Sequence, residues 1–184
     1  MGRIVLIGGG ARSGKSRFAS DYATQLGSRR LFVATATAGD EEMRWRIAQH
    51  REERGDAFTT REEPIDLVAV LRSETSFDVV VIDCLTLWLS NLLIEGLSNS
   101  DIEQRVSNLI DALAVTEAHI IAVTNEVGLG IVPEHALARR FRDLAGRVHQ
   151  RIAGAADELY FGAMGCMLRL KPAPVTLMQP GAFE

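Results

Sequence analysis

Residues 9–16, Gly-Gly-Ala-Arg-Ser-Gly-Lys-Ser, have the full G-x-x-x-x-G-K-[ST] spacing of a loop that holds phosphate. Glycine lets successive backbone N–H groups curl around an oxyanion with no Cβ in the way. A helix beginning behind the loop adds about half a positive charge. In such a loop Gly9, Gly10, Ala11, Arg12, Ser13 and Gly14 cradle the phosphates with their backbone. Lys15 reaches the β- and γ-phosphates, and the Ser16 hydroxyl ligates Mg²⁺. A second acid-bearing position is Asp83, which ends the apolar run Val79-Val80-Val81-Ile82. Ligands of parallel α/β sheets sit outside the carboxyl ends of the strands, so Asp83 is expected near the loop's Mg²⁺. An N-cap of the following helix is the other role open to it.

A third stretch, residues 40–54, carries the groups that could decide the chemistry. Asp40 is suited to cap a helix, with Glu41 and Glu42 in its first turn. Met43, Ile47, His50 and Arg54 then share one face. Four arginines lie between positions 44 and 54, and Glu52 and Glu53 can pair some of them, which makes a solvated charged face one reading. The other has Arg51 and Arg54 clamping a phosphate, with a neutral His50 beside them as nucleophile toward phosphorus. From the residues alone the structural histidine is the preferred reading of His50.

The elements that must position these groups follow from pattern. Residues 3–7, 31–35, 77–82 and 120–124 are continuous apolar runs, as buried parallel strands are, and helical patterns lie between them. Strand, loop and helix fall in the order a phosphate loop requires, and Phe18, Tyr22 and Leu26 mark one face of the first helix. Further helices are expected near 40–54, 64–73, 85–95, 100–115 and 134–154, with Pro64 and Pro133 in the first turns of two of them. Residues 159–161 and 167–170 read as a terminal hairpin, and the Pro-containing stretch 172–184 as a frayed tail. The alternation implies a mostly parallel sheet with helices on both faces. Small residues and hydroxyls at Thr35, Ala36 and Thr37, after the second strand, leave room for a ligand. A plain connection to the next helix is the alternative. The helix at 84–97 is apolar nearly all round, which places it in the core or at an interface.

At 184 residues with a net charge of −4, the chain fits a single domain, expected at 1–171, and argues against a nucleic acid held by bulk electrostatics. No run approaches the roughly 18 apolar residues of a membrane helix, and the N-terminus reads as a first strand, so a cytoplasmic protein with no membrane span is expected. Cys84 and Cys166 lack metal-ligand spacing and suit a reducing compartment.

The loop GGARSGKS, Arg46-Ile47 with His50-Arg51 and Arg54, the string 83–93 and the string 123–134 closely resemble the bifunctional adenosylcobinamide kinase / adenosylcobinamide-phosphate guanylyltransferase family of cobalamin biosynthesis. The resemblance continues through 138–143, Gly146-Arg147 and 156–158. It implies a P-loop NTPase-like, RecA-like α/β fold and a two-step enzyme. Such an enzyme phosphorylates adenosylcobinamide with ATP or GTP, then transfers GMP from GTP to adenosylcobinamide phosphate through a GMP-histidine intermediate. The matching histidine is His50. The same family pattern implies nucleotide contacts at Gly9 to Ser16, Thr35 to Thr37, Arg51, Glu52, Glu53 and Arg54, Glu62 and Asp83, with Glu63 able to replace Glu62. It implies a homotrimer with the corrinoid near the subunit junction. Two positions depart from the pattern: relatives often carry Asn where this chain has His149, and some carry two adjacent histidines where it has Gln49-His50. A single-activity kinase, and a nucleotide-dependent switch, are the rival readings. The second lacks an Asn-Lys-x-Asp guanine motif, since Glu126 follows Asn125.

Overall fold

The computed structural model describes residues 2–39 and 41–178; within helices and strands, the side chains of residues 42, 43, 46, 47, 50, 53, 54, 177 and 178 are not described. Eight strands form one sheet: β1 (Ile4–Gly9), β2 (Arg30–Ala34), β3 (Thr59–Glu62), β4 (Val79–Asp83), β5 (His119–Val123), β6 (Glu158–Ala163), β7 (Cys166–Lys171) and β8 (Thr176–Met178). Their order is β3-β2-β4-β5-β1-β6-β7-β8. Six strands run parallel, and β7 and β8 are added antiparallel at one edge. The helices are α1 (Lys15–Leu26), α2 (Glu41–Arg54), α3 (Leu67–Ser73), α4 (Leu85–Ile94), α5 (Asn99–Val115) and α6 (Ala136–Ala155).

Strand alternation sorts the core into two faces. Leu6, Leu31, Val33, Val80, Ile82 and Ile120 point to the side covered by α3, α4, α5 and α6. Val5, Ile7, Phe32, Val81, Ile121 and Val123 point to the side covered by α1 through Ala19, Tyr22 and Ala23. This is the period of two along a strand, with both faces dry, as a parallel sheet demands. One strand, β5, separates the loop-bearing β1 from β4 with Asp83, which spaces those two strands about 10 Å apart. The arrangement is the expected α/β fold, with a strand–loop–helix phosphate loop, helices on both faces of a mostly parallel sheet and a C-terminal hairpin.

Several local expectations are corrected. Pro64 and Pro133 precede their helices: Asp66 caps α3, its carboxylate accepting from Ala69 N, and His135 is the N-cap of α6. Asp83 does not cap α4, whose N-cap is Cys84, because Asp83 is still the last residue of β4 and pairs with Ala34 and Val123. The third strand begins at Val79, not at Phe77. The polar edge strand β3, with the sequence Thr-Thr-Arg-Glu, escapes a hydrophobicity reading because it is solvated outside β2. Within the stretch 172–184, Thr176–Met178 is a strand, completing hydrogen bonds that β7 would otherwise leave open. The cap expected at Asp40 lies outside the described residues.

Helix α4 resolves as core. Leu85, Trp88, Leu89 and Leu92 are almost fully buried, and Trp88 donates its indole N–H to the Ile65 carbonyl at 2.8 Å. Ile94, at its end, is exposed.

Candidate phosphate-binding site

Residues 9–16 leave β1 and turn directly into α1, whose first residue is Lys15. Gly14 caps that helix in the left-handed region, φ +92°, which glycine adopts freely. Gly9 has φ +141°, and a Cβ there would meet the Gly162 carbonyl oxygen of β6 at 2.3 Å. Glycine at position 9 is therefore required both by conformation and by the neighbouring strand. Arg12 also takes a positive φ, +54°, and is exposed at the tip of the loop. The β6–β7 turn backs the loop: Gly165 and Met167 lie against Gly14.

Lys15 is buried, at 6% exposure, and its ammonium donates to the Gly10 carbonyl at 2.5 Å and to Ser13 Oγ at 3.3 Å. The cation thus sits inside the curl of the loop, where phosphate oxygens would approach. Burial pushes its pKa down, and the nearby Asp83 carboxylate works against that shift. Asp83 ends β4, two strands from β1, at the same edge of the sheet as the loop. Ser16 and Asp83, both half-buried, supply a hydroxyl and a carboxylate. Such hard oxygen donors, with phosphate oxygens and water completing the shell, suit Mg²⁺. Among the described residues no group of three His, Cys, Asp or Glu side chains gathers as a metal cage.

The second strand reaches the same edge but spends its hydroxyl internally. Thr35 is fully buried; its Oγ1 accepts from Cys84 N at 2.7 Å and donates to the Cys84 carbonyl at 2.8 Å. It ties β2 to β4 beside Asp83. Ala36 is half-buried and Thr37 exposed. Glu63 accepts from Ile65 N and Asp66 N at 3.0 and 2.8 Å, which commits it to the turn before α3. Glu62, at the end of β3, is exposed. Arg51 and Glu52 are exposed on α2. The side chains of His50, Glu53 and Arg54 lie outside the described residues. Along the backbone, His50 stands about 14 Å from the start of α2.

Sequence reasoning missed a group of polar residues behind the loop. The Glu126 N–H donates to the Gly9 carbonyl at 2.9 Å and Thr124 N to the Ile7 carbonyl at 2.9 Å, so the chain leaving β5 continues alongside the loop. Thr86, Thr124 and His149 bond in series behind it. A hydroxyl directly after an apolar strand, Thr124 after Val123, was the available signal.

The chain matches the family model for cobinamide kinase / cobinamide phosphate guanyltransferase over residues 5–170. It is 45% identical to the bifunctional adenosylcobalamin biosynthesis protein CobP of Pseudomonas aeruginosa, covering 92% of this chain and 98% of that protein. It is 37% identical to the bifunctional adenosylcobalamin biosynthesis protein CobU of Escherichia coli, covering 91% and 99% of the two chains. The crystal structure of the RadB recombinase superposes with a TM-score of 0.48 at 14% identity, covering 91% of this chain and 79% of that one.

Proposed function

Because the chain belongs to the cobinamide kinase / cobinamide phosphate guanyltransferase family, we propose that it is a bifunctional transferase acting twice on a corrinoid acceptor. In the first step the hydroxyl of adenosylcobinamide attacks the γ-phosphorus of ATP or GTP, and the nucleoside diphosphate leaves. In the second, a His50 ring nitrogen attacks the α-phosphorus of GTP and diphosphate leaves. A phosphate oxygen of adenosylcobinamide phosphate then takes the GMP from the histidine, giving adenosylcobinamide-GDP.

The observation that carries this reading is the Lys15 ammonium held inside the glycine curl, at 2.5 Å from the Gly10 carbonyl and under the field of Asp83. Phosphoryl transfer is mainly a matter of placing positive charge where negative charge develops. Lys15 and the N–H groups of residues 10–16 would do that from the loop side. Ser16 and Asp83 would hold Mg²⁺, which when bound would neutralise charge on the phosphate oxygens. Arg51 and Arg54, with Glu52 and Glu53, belong to the helix that carries His50 and would follow the nucleotide. Thr35 acts here through its backbone and its grip on Cys84, Ala36 and Thr37 line the approach, and Glu62 is the carboxylate left open to a ligand.

Helix α2 would have to travel to bring His50 to the α-phosphorus of a nucleotide held by the loop. The β5–α6 connection exposes Leu129, Ile131 and Val132, and the first turn of α6 exposes Leu137. Covering it with neighbouring subunits of a homotrimer would bury that surface and enclose the corrinoid. Two free thiols, Cys84 and Cys166, suit action in the cytoplasm.

The test is product analysis with purified protein, cobinamide and each nucleotide. The expected products are cobinamide phosphate with ATP or GTP, and cobinamide-GDP with GTP alone. Lys15→Ala is expected to lose the first by a factor of about 10² to 10³. No cobinamide phosphate with either nucleotide would remove the kinase; phosphate without GDP product would leave a kinase alone.

A further inference from the structure

Behind the phosphate loop three side chains from three elements form a buried series. Thr86 of α4 and Thr124, just past β5, are 5% and 3% exposed, and their hydroxyls lie 3.1 Å apart. Thr124 Oγ1 lies 2.6 Å from Nε2 of His149 on α6. At the other end, Thr86 Oγ1 accepts the Asn125 N–H at 2.7 Å. The residues on either side of Asn125 bond to β1 instead, Thr124 N to Ile7 and Glu126 N to Gly9. The main chain at 124–126 is therefore pinned alternately to the loop strand and, through Thr86, to the series that ends at His149.

When the Thr86 hydroxyl donates to Thr124 and the Thr124 hydroxyl donates onward, every proton in the row has an acceptor, and Nε2 of His149 must be bare. A protonated ring carries N–H on Nε2, and Thr124 must accept from it: either Thr124 takes two donors and its own proton loses the ring, or the row reverses and the Thr86 proton loses the Thr124 acceptor. Burial of the ring disfavours the charge and pushes its pKa down. Among neighbouring charges, Glu126 faces the ring and favours protonation. Helix α4 and strand β1 contain no charged residue. On α5, Glu103 is engaged by Arg147. Strand β5 carries only His119, at its far end, accepting from Arg3 N.

We propose that His149, neutral and accepting at Nε2, is a positioning residue that acts through Thr124 and Thr86 to hold Asn125 and Glu126 against the phosphate loop, and that protonating it loosens nucleotide binding. The inference rests on residues 9–16 being the nucleotide site. Gln at position 149, whose amide oxygen reaches about as far as Nε2, offers an acceptor with no charge to gain.

The experiment measures binding of a fluorescent GTP analogue between pH 5 and 8 to wild type, His149→Gln and His149→Leu, with thermal melts at each pH. In parallel, the ¹⁵N shifts of the His149 ring are followed in wild type, using His149→Gln to assign them. Wild type is expected to weaken about fivefold to tenfold below the ordinary histidine range near 6.5, relative to His149→Gln. His149→Leu is expected to be weak at every pH. The neutral ring is expected to carry its proton on Nδ1. The analogue's own phosphate titrates identically in all three proteins, so ratios remove it. Parallel pH profiles for wild type and His149→Gln overturn the proposal, as does a neutral ring protonated on Nε2. Wild type that binds no analogue at any pH overturns the reading of the loop itself, and the proposal with it.

Discussion

At the scale of single residues, the loop was legible because its requirements are local. Gly9, Gly14, Lys15 and Ser16 are fixed by spacing within one turn of chain, and the same spacing places Lys15 at the first position of α1. The reason for Gly9 was half legible: β6, whose Gly162 carbonyl crowds it, comes 150 residues later. Gly9→Ala combines a positive φ with that clash. It is expected to cost more than about 1 kcal/mol in denaturant unfolding, with loss of nucleotide binding. An unchanged midpoint would show that β6 can withdraw. Thr35 was expected to offer a hydroxyl to a ligand, and the partner that takes that hydroxyl, Cys84, is 49 positions away and beyond any local pattern. The choice between Glu62 and Glu63 needed coordinates, since Glu63 is bound to the turn at 65–66. His50 is legible only as a position on a helix.

At the scale of elements, hydrophobic periodicity found the four central parallel strands and five interior helices, because each buries a continuous apolar face. It failed for β3 and β8, which are short edge strands held by backbone pairing more than by side-chain burial. Proline misplaced two helix starts because Asp66 and His135 take the cap positions further on. Helix α4 gathers the edges of the site in a way no pattern announces. Asn91, 8% exposed, donates to the Thr35 carbonyl at 2.8 Å and the Pro64 carbonyl at 3.1 Å. It joins the connection after β2 to the turn before α3. Asn91→Leu keeps the volume and strands both carbonyls, at about 1 to 3 kcal/mol for a buried unsatisfied group. Thermal melts are expected to fall, and hydrogen exchange at residues 35–39 and 65–66 to speed up. Exchange unchanged at those residues would mean that the two segments hold without it.

At the scale of the whole molecule, the apolar residues of the β5–α6 connection set the expected assembly. Ile131 is 97% exposed and Leu129 82%, in a stretch that begins where Glu126 touches the loop. Ile131→Glu places a charge in a surface that a trimer would bury. Wild type is expected to sediment as a trimer and Ile131→Glu as a monomer at the same concentration, with its secondary structure intact. Equal sedimentation would place the interface elsewhere. The central claim, two transfers on one loop, turns on whether the α-phosphorus of GTP passes through His50. The most direct test is to incubate wild type and His50→Ala with GTP labelled at the α- or the γ-phosphate, denature, and count label retained on protein. The account predicts an acid-labile, alkali-stable label from the α position alone, present in wild type and absent in His50→Ala. Label retained by His50→Ala, or none from either position while phosphorylation of the corrinoid proceeds, would contradict it.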